Sequence, residues 1–139
     1  MPAFRVLVVD DHPVNRAIGA EIFHYLGCAV ETAASAGAAL GLIENGVYDL
    51  ICLDRHMPGC SGDELVQQIP ASQFVVAWST DDVDVPARFD GFLDKPITIA
   101  AASEAIVAAV AAGAGAFMTG LKASPCGPAP TETLRRSFA

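Results

Sequence analysis

The chain has 139 residues, enough for one domain with a substantial core and too few for two. Hydrophobic residues make up 53% and aromatics only 7%, with alanine supplying much of the apolar total, so helices packed closely on an aliphatic sheet fit better than an aromatic-lined cavity. A formal net charge of −8 argues against a surface for phosphate backbones, and nucleic acid is not an expected partner.

Phe4 to Val9 is a short β-branched apolar run that stops abruptly at Asp10-Asp11, as a buried parallel strand does when it delivers carboxylates to its C-terminal edge. Pro13 suits a first helical turn. Val14, Ile18, Ile22 and Leu26 recur every four residues and predict one apolar stripe before Gly27 ends the helix. Either Asp10 or Asp11 is also a natural cap for that helix. Ala29 to Ala33 reads as a second strand, and Ser35 caps an Ala-rich helix through about Glu44 that closes at Asn45-Gly46.

Asp49 to Asp54 repeats the first pattern, an apolar run terminated by a carboxylate. Pro58-Gly59 turns the chain, Ser61 or Gly62 opens a helix carrying Leu65, Val66 and Ile69, and Pro70 closes it. Phe74 to Trp78 is a fourth strand ending in Ser79-Thr80, and Gly91 to Asp94 a fifth leading to Lys95-Pro96. Thr98 caps a long Ala-rich helix through about Ala112. Such alternation implies a parallel sheet with helices on both faces and a ligand site at the C-terminal ends of the strands. Residues 1–112 thus form the expected domain, and 113–139 a Gly/Pro-rich tail of flexible linker composition.

Cys28, Cys52, Cys60 and Cys126 are far apart without a CxxC pair, which fits buried thiols in a reducing cytoplasm rather than a zinc site or disulfide framework. Asp10 and Asp11 interrupt the N-terminal apolar run, so no export signal is expected. The uncharged stretch from Ala105 to Leu121 is mostly Ala and Gly and falls short of the roughly 20 strongly apolar residues of a membrane span.

Asp10, Asp11 and Asp54 all end apolar strands, so in a parallel sheet they converge. Two like charges about 4 Å apart repel by roughly 4 kcal/mol at an effective dielectric near 20, and a divalent cation is the natural remedy. Oxygen-only ligands point to Mg²⁺. An aspartate beside such an ion can take a phosphoryl group as an acyl phosphate, and Asp54, alone at its strand end, is the candidate. Ser79 and Lys95 follow later strands and reach the same edge as a hydroxyl donor and a compact cation.

These features together resemble the receiver (response-regulator) family of the CheY-like superfamily over about residues 4 to 112. The resemblance is carried by Leu7-Val8-Val9-Asp10-Asp11-His12-Pro13-Val14-Asn15-Arg16, by Leu53-Asp54-Arg55-His56-Met57-Pro58-Gly59-Cys60-Ser61-Gly62, and by Phe92-Leu93-Asp94-Lys95-Pro96. It implies a flavodoxin-like sheet of order 2-1-3-4-5, Asp54 as phosphoacceptor, and Mg²⁺ held by Asp10, Asp11, Asp54 and the backbone carbonyl of His56. It also implies Ser79 as switch hydroxyl, Phe92 as switch aromatic, and Lys95 as the phosphate contact preceding a cis bond to Pro96. Arg55, Thr80 and Asp81 are expected to modulate the site.

The Asp-His-Pro-Val-Asn-Arg run looks most like receivers of hybrid histidine kinases or phosphorelays. A histidine kinase or histidine phosphotransfer protein is therefore the implied partner, and a monomer or weak dimer the implied state. Self-phosphotransfer and autodephosphorylation are the only enzymatic steps implied. No DNA-binding domain follows, so direct transcriptional output is not expected. The segment between Ser79 and Lys95 holds Asp81, Asp82, Asp84 and Pro86 where the family usually fits a full helix. The fourth helix of the pattern is expected to be shortened or absent. That departure motivates a second reading, a pseudo-receiver that binds partners without phosphorylation. A third, a haloacid-dehalogenase-like phosphohydrolase, needs an aspartate two residues after the first, where this chain has His12.

Overall fold

The computed structural model describes residues 3–122, with side chains through residue 113. Five strands form one parallel sheet: β1 (Arg5–Val9), β2 (Ala29–Ala33), β3 (Leu50–Asp54), β4 (Val75–Ser79) and β5 (Gly91–Asp94). Their order is β2-β1-β3-β4-β5, as expected. Alternate residues of each central strand feed two separate cores. Leu7, Val9, Ile51, Leu53, Val75 and Ala77 face α2 (Ala36–Asn45) and α3 (Gly62–Leu65). Val6, Val8, Leu50, Cys52, Val76 and Trp78 face α1 (Pro13–Tyr25) and α4 (Ile99–Lys122).

Local chemistry sets the helix ends. The Ser35 hydroxyl accepts from the Ala38 amide, and Ser61 and Glu64 form a reciprocal capping box at the start of α3, which passes into a 3-10 turn over Val66–Gln68. Helix α1 ends at Gly27, whose φ of 92° suits glycine; the Cys28 amide donates to the Phe23 carbonyl and the Gly27 amide to that of His24.

Two expectations about α1 are corrected. Its N-cap is His12, with no side-chain cap, so neither Asp10 nor Asp11 serves that role. Val14 and Ile18 are exposed, and the face turned inward carries Gly19, Ile22, Phe23 and Leu26, spaced i, i+3, i+4, i+7. The reason lies in Trp78. A Cβ on Gly19 would stand 3.0 Å from the Trp78 Cη2, so the bare glycine is what lets the indole pack beneath the helix.

Between β4 and β5, residues 80–90 contain no helix, in line with the expected loss of the fourth helix of the pattern. Helix α4 continues to Lys122, past the Ala112 end expected from Gly113. Alanine favours helix strongly enough to carry isolated glycines, each costing about 1 kcal/mol. The remainder of the expected tail, with Cys126, lies outside the described residues. Cys28 and Cys52 are buried as expected, whereas Cys60 is half-buried. Among the described residues no helix is long and apolar enough to cross a membrane.

Candidate functional site

The strand register builds the site. Val8 pairs with Cys52, so two residues further on Asp10 comes beside Asp54, both on the same side of the sheet and both buried. Asp11 follows and is exposed. One carboxylate oxygen from each of Asp10, Asp11 and Asp54 lies within 4.8 Å of the others. This is the one such grouping of potential metal ligands among the described residues.

Strand β5 supplies the counter-charge. Ser79 pairs with Asp94 and the Lys95 amide donates to the Ser79 carbonyl, which carries the lysine back across the strand ends ahead of a cis Lys95-Pro96 bond. Lys95 Nζ donates to Asp10 Oδ2 at 2.8 Å and lies 3.1 Å from Asp54 Oδ1. It also sits 4.8 Å from the centre of the Trp78 ring, so Trp78, expected simply as core, packs against the site cation as well. Burial lowers the Lys95 pKa less than the two carboxylates raise it, and its pKa is raised on balance.

Backbone amides complete the clasp. The His12 amide donates to Asp10 Oδ1 at 2.8 Å and the His56 amide to Asp54 Oδ1 at 3.1 Å. Burial nevertheless pushes the Asp54 carboxyl up to about 6, against the lowering effects of the His56 amide and Lys95, with Asp10 adding a further upward push. Gly62 is pressed onto this strand end, since a Cβ there would fall 1.9 Å from the Asp54 carbonyl oxygen.

Above the carboxylates lies an open pocket of about 260 Å³, also lined by His56, Ser79, Thr80 and Asn15. The Ser79 hydroxyl is almost fully buried and accepts from the Asp81 amide at 3.3 Å. Phe92 is half-buried against the α2–α3 core and is not among the pocket-lining residues. Arg55 is buried but is not among the pocket-lining residues; it bonds to the partly exposed Asp63 and Asp81, and Asp81 also meets the His56 ring.

Sequence reasoning did not single out Asn15, Asp63 or Arg16, whose guanidinium donates to the Asp10 carbonyl at 2.8 Å. Arg16 and Asn15 stand inside a quoted motif and were legible in principle, but Asp63 carried no signal.

The response regulator receiver domain family model matches residues 6–107, and the chain belongs to that family. Among curated proteins it is 42% identical over 71 residues to the virulence sensor protein BvgS of Bordetella pertussis, covering 51% of this chain and 6% of that protein. It is 30% identical over 112 residues to the aerobic respiration control sensor protein ArcB of Escherichia coli, covering 73% of this chain and 14% of ArcB. The chain thus spans only a small part of these sensors. Among solved structures, the response regulator TrrA of Thermotoga maritima in complex with Mg²⁺–BeF matches with a TM-score of 0.70 and 27% identity, over 76% of this chain and 97% of that one. The receiver domain of the hybrid histidine kinase CckA matches with a TM-score of 0.65 and 29% identity, over 76% and 98% of the two chains.

Proposed function

We propose that this receiver domain takes a phosphoryl group onto Asp54 from a phosphohistidine, supplied by a histidine kinase or histidine phosphotransfer protein. The observation that carries the reading is the single lysine, Lys95, reaching both Asp10 and Asp54 at the floor of an open acidic pocket. A carboxylate oxygen of Asp54 attacks phosphorus as the P–N bond breaks, and the bonding pair leaves with the imidazole nitrogen, which takes up a proton. Lys95 then faces the phosphoryl oxygens, and the Ser79 hydroxyl can donate to one of them once it turns into the pocket.

Three hard oxygen donors with water-accessible space above them suit Mg²⁺, which favours carboxylate, carbonyl and water ligands. Asp10, Asp11, Asp54 and the His56 carbonyl would hold it. When bound, the ion offsets the negative charge of the carboxylates and of the transferring group. The TrrA complex with Mg²⁺–BeF supports this assignment by analogy.

Hydrolysis of the acyl phosphate by water would return Asp54 to its resting form, and Thr80 and His56, which line the pocket, with Asp81 bonded to the His56 ring, are placed to govern that water. Cytoplasmic placement follows from the same reading. The test is incubation with Mg²⁺ and acetyl phosphate, followed by intact mass. One phosphoryl group per chain, lost in Asp54→Ala, is the expected result. No adduct would favour a partner-binding pseudo-receiver, and turnover of added phosphate esters a hydrolase.

A further inference from the structure

No helix forms between β4 and β5, and a single buried guanidinium ties that segment to α3. Arg55 has a side chain only 4% exposed. It forks onto Asp63 at the start of α3, with Nε to Oδ1 and Nη2 to Oδ2 both at 3.0 Å. The rest of the guanidinium holds the 80–90 segment. Nη1 donates to the carbonyl and Oδ1 of Asp81, both at 3.2 Å, and Nη2 to the Asp84 carbonyl at 3.3 Å. Asp84 sits at a φ of 50°, a left-handed conformation that this bond to its carbonyl helps to hold.

Asp81 is where this network meets the pocket. Its amide donates to the Ser79 hydroxyl at 3.3 Å and its Oδ2 lies 3.2 Å from His56 Nε2. A bidentate, charge-assisted pair whose arginine is buried beside a helix start is a rigid anchor. Its longer bonds to the loop, at 3.2 and 3.3 Å and divided between Asp81 and Asp84, are the ones that can exchange. If Ser79 turns toward a phosphoryl oxygen, its hydroxyl leaves the Asp81 amide, and the Asp81 side chain is then held by Arg55, His56 and the Val83 amide, which donates to Oδ1 at 3.2 Å.

We propose that Arg55 is a positioning residue that holds the 80–86 loop over the phosphorylation site in the resting protein, and that phosphorylation shifts Asp81 away from Ser79 while the Arg55–Asp63 pair stays fixed. The loop thereby takes the place of the missing helix as the part that moves. The switching half rests on Asp54 being the phosphoacceptor; the positioning half does not.

The experiment is amide exchange and ¹H–¹⁵N NMR on the whole chain, with and without Mg²⁺ and beryllofluoride, a stable phosphoryl mimic whose attachment is read independently by ¹⁹F NMR. In the wild type, adduct formation should speed exchange of the Asp81 amide about tenfold, the scale of one lost hydrogen bond, and leave the Arg55 Nε–H resonance in place. In Arg55→Lys, which keeps the charge but loses the fork, the Asp81 amide should exchange about tenfold faster before any beryllofluoride is added. Asp63→Asn, altering a partly exposed partner, should do the same and serves if Arg55→Lys does not fold. An adduct that leaves Asp81 exchange unchanged overturns the switching half. Wild-type exchange at Asp81 in both variants overturns the positioning half. No adduct at all overturns the phosphoacceptor reading and the switch with it, while the resting-state comparison of the variants still decides the role of Arg55.

Discussion

Lys95 Nζ lies 3.1 Å from Asp54 Oδ1 while also bonding Asp10, so one ammonium group holds two buried carboxylates that would otherwise repel. The lysine does not offset everything, since burial, with a further push from Asp10, still raises the Asp54 pKa. Asp11 adds a third carboxylate opposite this one ammonium group, and the uncompensated negative charge has several measurable consequences.

The first concerns pH. Asp54 moves from an ordinary value of 3.8 to about 6 in the folded chain, so the folded state holds its proton more tightly than the unfolded state. Its contribution to stability is fully present below about pH 4 and is lost as the pH rises through about 6. Without metal, the pH dependence of urea unfolding should include this falling component. Asp54→Asn should remove it and stabilise the metal-free protein at pH 7.5 by about 1–3 kcal/mol. A destabilised Asp54→Asn protein under those conditions would contradict the assignment.

Mg²⁺ should reverse the penalty. Because the ion would bind the folded chain's convergent carboxylates and not a dispersed set, it should raise Tm, by the equivalent of about 2.7 kcal/mol at a concentration about 100 times Kd. Thermal melts with Mg²⁺ and with EDTA measure this, and Asp10→Asn should abolish most of the difference. The chain has a single tryptophan, and Lys95 stacks on it, so Mg²⁺ should also change the Trp78 emission.

Truncating the lysine separates its two roles. Lys95→Met leaves Asp10 and Asp54 facing each other without a cation and should cost about 2–4 kcal/mol in metal-free buffer at pH 7.5, with part recovered on adding Mg²⁺. Phosphorylation by acetyl phosphate should slow in the same variant even when Mg²⁺ is saturating. Denaturant melts and intact-mass time courses on one preparation give both numbers.

Gly62→Ala tests the seat of the site. The added methyl would collide with the backbone carbonyl of Asp54, which has no flexible end to move aside. A loss of about 3 kcal/mol or more, or failure to fold, is expected. Gly37→Ala, in an exposed part of α2 where a Cβ meets nothing within 4 Å, is the control and should be neutral to slightly stabilising.

Much of the sheet was legible because buried parallel strands announce themselves. Val6 to Val9 and Leu50 to Leu53 are continuous aliphatic runs, and a carboxylate ending each is chemically conspicuous. What eluded sequence reading depended on contacts between distant residues. Arg55 meets Asp63 8 positions away and Asp81 26 away, and nothing local to the arginine distinguishes a buried clamp from a pocket-facing charge. The face of α1 was misjudged for a related reason. Glycine carries no apolar signal, yet the space left by Gly19 is what Trp78 occupies, so hydropathy counted Val14 and Ile18 toward the core and overlooked the contact that orients the helix.

The pairing of Val8 with Cys52 carries a final implication. Sheet residues alternate sides, so a slip of one position between β1 and β3 would send Asp10 and Asp54 to opposite faces of the molecule. Alignment of the acidic groups is thus decided deeper in the strands, by uncharged side chains that do not line the pocket. The placement of the carboxylates depends on those inert pairs, and a conservative-looking change deep in β1 can pull the acidic groups apart without altering any of them.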